Sequence, residues 1–174
     1  MFTYKARRGF TLVELIVVIA IIGILTAVVS VNIAQSRAQA RDSERLVKLE
    51  QVHLALEAYR EAYGMYPAAG CSAGVNWIGH SYSTTDCAVY IVGLSALIDL
   101  PVDPTDTTNG YIYKTNADRS HYKFMAFGSL ETKTITASHE YARYGTADGC
   151  SGSMTALNAK TYAVSSDPSV TCAW

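Results

Sequence analysis

One uncharged stretch near the start of the chain limits its fold more than any other feature. Between Leu15 and Ser36 the sequence runs for 22 residues without a charged side chain, and Ile, Val and Leu dominate it. At about 1.5 Å per residue, a helix of this length spans the ~30 Å hydrocarbon core of a bilayer. The sequence therefore predicts one transmembrane helix.

The residues before this stretch predict its orientation. Lys5, Arg7 and Arg8 are positive, and the first nine residues contain no acid. By the positive-inside rule, this end stays in the cytoplasm and the rest of the chain is exported. A cleaved secretory signal fits poorly, because its apolar region would be shorter and would end in a small-residue cleavage site.

Composition excludes several functional classes. The chain has 174 residues, of which 49% are hydrophobic and 17% charged, a balance unlike that of disordered proteins. With 14 basic and 15 acidic residues the net charge is −1, so no specific nucleic-acid partner is expected. The four histidines are scattered, and no G-x-S-x-G, P-loop or H-E-x-x-H motif occurs, so we predict no enzymatic activity. His53 is expected on the polar side of a helix, in solvent.

A second helical pattern follows the apolar stretch. Gly64 is a suitable C-cap and Pro67 lies just beyond it, while Ile24 to Tyr63 contains neither Pro nor Gly. One helix from Phe10 to Tyr63 is therefore predicted. Its second half could form a coiled coil, but residues 65–174 are long enough to supply a sheet for it to pack on. Apolar residues with 3-4-3-4 spacing mark the face that packs: Leu49, Val52, Leu56, Tyr59 and Tyr63.

The remaining residues predict an antiparallel sheet laid on this helix, an α+β fold. Tyr122, Phe124 and Ala126 alternate with Lys123, which should face the other way. The 12 tyrosines suit subunit contacts, but half-buried sheet positions explain them equally well. A short helix or turn is expected at Tyr90–Leu100, and strands at Gly110–Thr115, His121–Phe127, Lys133–Ala137 and Lys160–Val164.

Glu14 is an unusual residue at the start of an apolar stretch. A carboxylate near the bilayer centre would cost ~2.5–3.5 kcal/mol. One explanation is that Glu14 lies at the interface and extends toward water. The other is a partner charge from another subunit: cleavage after Gly9 would give Phe10 a free amine, which could pair with the Glu14 of a neighbour at a fixed axial offset. Such a pair stabilises only when both members are present.

The segment from Arg7 to Leu25 resembles the prepilin cleavage and methylation segment of type IV pilins and type II secretion pseudopilins. The resemblance is strong over the first third of the chain and loose over the rest. It implies cleavage between Gly9 and Phe10, N-methylation of Phe10, and a role for Phe10 and Glu14 in subunit register. The matching residues are Gly9, Phe10, Thr11, Leu12, Glu14 and Gly23.

The resemblance also implies an architecture and partners. The pilin fold divides this chain into a leader at 1–9, a transmembrane or filament-core helix at 10–36, its amphipathic extension at 37–64 and an exported domain at 65–174. The expected function is a filament subunit, most similar to a secretion pseudopilin, with a type IV pilus subunit as the first alternative and a monomeric anchored binding protein as the second. Expected partners are further copies, minor pilins or pseudopilins, the prepilin peptidase, and the inner-membrane assembly platform with its ATPase. The subunit should be a single-pass inner-membrane protein that ends in a periplasmic or cell-surface filament.

Four cysteines lie in the predicted exported domain, where disulfides form readily. Cys71, Cys87, Cys150 and Cys172 allow three connectivities. Pairing Cys71 with Cys87 and Cys150 with Cys172 closes short loops, and the second loop resembles the disulfide-bounded C-terminal loop of many pilins. A zinc site is less suitable, because no pair has C-x₂₋₄-C spacing.

A loop rich in oxygen donors is a candidate calcium site. Asp103, Asp106 and Asn109 lie close together in sequence, and Ca²⁺ takes 6–8 oxygen ligands. The Pro-Val-Asp-Pro stretch also resembles major pseudopilins, some of which hold calcium nearby. Ordinary turn chemistry explains the same residues. Apart from this possible structural calcium, no cofactor is expected.

Overall fold

A computed structural model of the chain describes residues 9–70, 78–79, 87, 89–105, 109–143 and 158–167, without the side chains of 28–32. The chain divides into two compact units, Met1–Arg37 and Ala38–Trp174. The first is helical over its described residues from Leu12 onward, and the second contains the sheet.

One long helix, α1, runs from Leu12 to Tyr63 over 52 residues. It ends at Gly64, whose φ of 76° is the left-handed conformation that glycine adopts without strain. The Gly64 N–H donates to the carbonyl of Arg60 at 2.7 Å, which closes the last turn. The predicted helix is confirmed, except that it starts two residues after Phe10.

The second unit contains a four-stranded antiparallel sheet, in which the strands pair in the order in which they occur along the chain. The predicted strand at Gly110–Thr115 is confirmed. The two strands that follow it differ from the predicted ones by one or two residues at their ends, and the two-residue strand before it was not predicted. A 3₁₀ helix at Leu94–Ala96 lies inside the predicted short helix or turn, and another spans Asn158–Lys160. The strands are β1 (Ile78–Gly79), β2 (Gly110–Thr115), β3 (Tyr122–Phe127) and β4 (Tyr162–Ser165).

The strand predicted at Lys133–Ala137 is wrong. The segment is irregular in the structure because its backbone donors have other partners. The Lys133 N–H donates to the carboxylate of Asp42 at 3.2 Å, and the Ile135 N–H donates to the carbonyl of Ala159 at 2.7 Å. A side chain on α1 therefore takes a hydrogen bond that a neighbouring strand would need.

The main core lies between the sheet and the part of α1 that belongs to the second unit. Leu49, Val52 and Leu56 are at most 1% exposed. This confirms the first two turns of the apolar stripe, the helix face that was predicted from the 3-4-3-4 spacing. Tyr59 is half-buried and Tyr63 is 64% exposed, so the buried stripe ends before the helix does. The predicted alternation in β3 is also confirmed, because Tyr122, Phe124 and Ala126 share this core whereas Met125 and Phe127 belong to a second apolar cluster.

Most described tyrosines of the domain are core residues. Their burial is possible because the hydroxyl groups find partners inside the protein. Tyr90 donates to the carbonyl of Pro101 and Tyr113 to that of Pro67, each at 2.9 Å. Six are at most 1% exposed, so they pack the interior and do not form a contact surface: Tyr66, Tyr90, Tyr111, Tyr113, Tyr122 and Tyr162.

Candidate functional site

Helix α1 begins with a reciprocal cap between Thr11 and Glu14, two residues of the segment that resembles the prepilin cleavage and methylation segment. The N–H and hydroxyl of Thr11 donate to Oε2 of Glu14 at 2.9 and 2.8 Å, and the Glu14 N–H lies 3.3 Å from the Thr11 hydroxyl oxygen. This is a capping box, which satisfies backbone donors that a helix start leaves without partners. Gly9 and Phe10 precede it, and Phe10 is 84% exposed. The predicted roles of these residues in cleavage, methylation and register stay predictions.

The first half of α1 exposes apolar side chains on every face. The large ones from Leu12 to Leu25 are between 47% and 72% exposed. A soluble helix would bury one apolar stripe and expose polar residues elsewhere. Within the residues described, whose side chains are interrupted at 28–32, no helix meets the length and hydropathy that a membrane crossing requires.

The described residues include one of the four cysteines. Cys87 is 1% exposed and disulfide-bonded. Cys71, Cys150 and Cys172 lie outside the described residues, so the connectivity of the disulfides stays a prediction.

A buried arginine on α1 binds the loop in which calcium was predicted. The guanidinium of Arg45 donates from Nε and Nη2 to the two oxygens of Asp103, both at 2.8 Å, and from Nη2 to the Thr105 hydroxyl at 2.9 Å. Its Nη1 donates to Asp42 and to Glu131, each at 2.9 Å. The side chains of Arg45, Asp42 and Asp103 are fully buried, whereas Glu131 is 28% exposed. Such bidentate pairs are among the stronger charged hydrogen bonds in proteins.

Asp42 holds the irregular segment that follows β3. Its oxygens accept the backbone N–H groups of Glu131, Thr132 and Lys133 at 2.9, 2.8 and 3.2 Å, and the Thr132 hydroxyl at 2.7 Å. Arg41 adds a partly exposed ion pair to Glu131, with its Nε 2.7 Å from Oε1. We call this network the Arg45 clasp: Arg41, Asp42, Arg45, Asp103, Thr105, Glu131 and Thr132.

The clasp keeps its carboxyl groups ionised. Burial opposes the ionisation of Asp103, but hydrogen bonds from Arg45 and Thr105 outweigh it and lower the pKa of this carboxyl from its usual 3.8. Burial likewise opposes the ionisation of Asp42, and the donors of residues 131–133 outweigh it, so that pKa is also lowered. The hydrogen bond from Arg41, aided by Arg45, lowers the pKa of Glu131 from 4.5.

Sequence reasoning missed the clasp, although the pattern contained a signal for it. Counting back from Leu49 by four and then three residues gives Arg45 and Asp42, so both continue the buried face of α1 toward its N-terminus. Charged residues at core positions of an amphipathic helix need buried partners of opposite charge. The sequence thus shows that Arg45 and Asp42 lie on the buried face of the helix, but it does not identify Asp103 and Glu131 as their partners.

His53 lies beside the apolar stripe, as expected, but it is not fully in solvent. His53 is half-buried, and its Nδ1 lies 2.5 Å from the hydroxyl oxygen of Tyr122 on β3. The neighbouring Glu57 accepts a hydrogen bond from the hydroxyl of Tyr66 at 3.0 Å. Polar residues beside the apolar stripe thus bind the hydroxyl groups of core tyrosines, which periodicity alone does not predict.

The calcium prediction is not tested as a whole, because Asp106 lies outside the described residues. Asp103 belongs to the clasp, and Asn109 is half-buried just before β2. In the described part of the chain, no three His, Cys, Asp or Glu side chains are grouped as a metal ion would require.

The clasp predicts how the stability of the domain changes with pH. Carboxyl groups whose pKa is lower in the folded state stabilise it above their unfolded pKa, and this contribution is lost as the pH falls. We expect the melting temperature to be nearly constant between pH 7 and 5 and to fall by about 5–10 °C by pH 3. Thermal denaturation of the full chain in detergent, followed by circular dichroism, measures this. An Asp103→Asn variant should flatten the profile, whereas Asp118→Asn, on an exposed turn, should not; equal melting temperatures at pH 7 and 3 would contradict the prediction.

Comparison with known proteins adds a family motif and several relatives. Residues 4–30 match the family model described as the prokaryotic N-terminal methylation motif. The chain is 41% identical to the type IV major pilin protein PilE of Neisseria gonorrhoeae over 69 residues, which cover 40% of this chain and 41% of the pilin. The chain thus spans about two fifths of the length of this relative.

Two further relatives match over longer stretches at lower identity. The fimbrial protein EcpC of Eikenella corrodens is 29% identical over 113 residues, covering 65% of this chain and 74% of the relative. The type II secretion system core protein G of Escherichia coli is 29% identical over 116 residues, which cover 64% of this chain and 66% of the relative. No solved structure matches the chain significantly. The resemblance drawn from the sequence is therefore confirmed, and the relatives include both pilins and a secretion protein.

Proposed function

We propose that this chain, which carries the methylation motif and has both type IV pilins and a type II secretion core protein as relatives, is a subunit of a type IV pilus-like filament. One observation carries the proposal. The first half of α1 exposes large apolar side chains on every face, and such a surface requires lipid or another protein around it. A filament subunit meets both needs in turn, in the membrane before assembly and among other copies afterwards.

Assembly in this proposal exchanges one apolar environment for another. The membrane holds the subunit through residues 10–36, and the filament replaces lipid contacts by contacts between helices. No covalent change is needed for this step, so the work of extraction comes from outside the chain. We propose that an inner-membrane platform and its ATPase supply it, and that minor pilins or pseudopilins join the same filament.

Processing precedes assembly in the proposed mechanism. A prepilin peptidase cuts between Gly9 and Phe10, and Phe10 receives an N-methyl group. The new amine at Phe10 then pairs with Glu14 of a neighbouring subunit, which fixes the axial offset between two helices. The capping box supports this arrangement, because it holds the Glu14 carboxylate at the start of α1 beside Thr11, the residue after Phe10.

The kind of filament is a finer proposal. We favour a pseudopilin of a type II secretion-like system that drives protein secretion, because the Pro101–Pro104 loop resembles major pseudopilins and the similarity to protein G extends over 116 residues. A type IV pilus subunit, serving adhesion, motility or DNA uptake, is the second candidate. The 41% identity to a Neisseria gonorrhoeae pilin favours it.

Intact-mass measurement tests whether the chain is a filament subunit and which of the two kinds of filament it forms. Sheared surface material and the membrane fraction of the native host would be compared side by side. A chain beginning at methylated Phe10 in both fractions supports a filament subunit, and abundance in sheared material favours a pilus over a short secretion pseudopilus. An uncut chain beginning at Met1 in the membrane would contradict the proposal and favour a monomeric anchored binding protein.

Replacing Gly9 tests the cleavage site directly. We expect Gly9→Leu to remain uncut, since a bulky side chain at the scissile bond should exclude the peptidase, and its mass should include residues 1–9. Gly23→Ala is the matched control, because a methyl group at either glycine meets nothing within 4 Å and strains neither backbone. A processed Gly9→Leu chain would show that cleavage lies elsewhere.

A further inference from the structure

The described part of the predicted calcium site does not fit a calcium ion. Oδ1 of Asp103 accepts three hydrogen bonds, from Nη2 of Arg45 and from the N–H and hydroxyl of Thr105, and Oδ2 accepts one from Nε of Arg45. A calcium ion binds 6–8 oxygens at 2.3–2.6 Å. Here a guanidinium lies 2.8 Å from both carboxylate oxygens, so a divalent cation at Asp103 would have to displace it or meet its positive charge.

We infer that Arg45 takes the place of a metal ion between Asp42, Asp103 and Glu131, and that it binds the loop before β2 and the segment after β3 to the helix without calcium at these carboxylates. The guanidinium contacts α1 through Asp42, the loop before β2 through Asp103 and the segment after β3 through Glu131, all within 2.9 Å. These are the contacts through which a multivalent cation would crosslink carboxylates. The inference does not depend on whether the chain assembles into filaments.

The charges of the clasp agree with this role. Arg41 and Arg45 are positive and Asp42, Asp103 and Glu131 are negative, which leaves a net charge of −1. Without Arg45 the same group would carry −2, the charge that one calcium ion neutralises. Because Arg45, Asp42 and Asp103 are fully buried, water compensates this charge poorly.

Calcium dependence of the melting temperature tests the inference. The disulfide-intact full chain would be heated in detergent at pH 7 with 5 mM CaCl₂, with 5 mM MgCl₂, or with EDTA. We expect the three melting temperatures to agree within about 1 °C, because the site already holds a cation. A rise in calcium alone that exceeds this agreement would overturn the inference; roughly 1 kcal/mol of binding would raise the melting temperature of a domain of this size by about 4 °C.

An Arg45→Met variant provides the second arm of the test. Methionine is unbranched and apolar but shorter than arginine, so this variant removes the charge and leaves space beside the carboxylates. Calcium should therefore raise its melting temperature by several degrees above the value in EDTA. Arg41→Met is the matched control, since Arg41 binds the same Glu131 from the partly exposed side and should confer no calcium response. If calcium affects both variants equally, or neither, Arg45 does not act as the internal cation. If Arg45→Met does not fold, the wild-type comparison alone decides.

Discussion

Arg45→Met is expected to lower the free energy of unfolding of the domain by about 3–5 kcal/mol, the usual cost of removing one member of a buried ion pair. Asp42 and Asp103 would remain fully buried with their charges no longer balanced, and Thr105 would lose a donor. Domains of this size are stable by only about 5–15 kcal/mol, so the change is a large fraction of the total. Chemical denaturation of the full chain in detergent measures it.

Arg41→Met is the control for this prediction. Arg41 is 32% exposed and pairs with a partly exposed Glu131, so its loss should lower the stability far less than the loss of Arg45. An Arg45→Met, Asp103→Leu double variant should recover part of the stability, because it also removes Asp103, one of the two carboxylates that lose their partner. Equal effects of the two arginine substitutions would show that burial does not determine the strength of the clasp.

Glu14→Ala is expected to reduce filament yield by at least about tenfold while leaving export and processing intact. Between apolar helices an amine without its partner carboxylate is costly, so a subunit lacking Glu14 should enter the filament poorly. Filaments in sheared material and processed subunits in membranes would be quantified in the same cells. Processed subunits should accumulate in the membrane, and a normal filament yield would contradict the proposed register.

Two controls separate the charge of Glu14 from its role in the capping box. Thr11→Ala removes the hydroxyl from the cap at a cost of about 1 kcal/mol but keeps the carboxylate, so filaments should form in nearly normal amounts. Glu61→Ala removes an exposed acid from the other half of α1 and should have no effect. If Thr11→Ala lowers the filament yield as much as Glu14→Ala does, then assembly depends on the capping of the helix and not on the charge of Glu14.

Elements that follow from local rules were predictable from the sequence. The helix follows from its uninterrupted run and from Gly64, whose left-handed backbone stops it. Strands β2 and β3 follow from β-branched and aromatic residues between turn residues, and Leu49 and Val52 follow from helical spacing. Each of these depends on residues a few positions apart.

Features that depend on distant residues were not predictable. The irregular course of 133–137 depends on two distant acceptors. Asp42, 91 positions earlier, accepts the Lys133 N–H, and the carbonyl of Ala159 accepts the Ile135 N–H. Asp103 could be read as a turn residue or as a calcium ligand, because its partner Arg45 lies 58 positions away. The contact of His53 was missed for the same reason, since its partner Tyr122 lies on β3.

The positions of the clasp residues along the chain also limit the order in which its contacts can form during synthesis. Helix α1 forms from local contacts and can fold as soon as it is made, whereas contacts across many residues form late. At about 5–20 residues per second, Thr132 is made roughly 5–18 s after Asp42, its partner 90 positions earlier. Until then Asp42 lacks the backbone donors of residues 131–133, although Arg45 already has Asp103, 58 positions after it, as a partner. A chain interrupted before residue 131 would contain α1, Asp103 and the two central strands but not the donors that Asp42 binds. The attachment of the helix to the segment after β3 therefore waits for residues made late in synthesis.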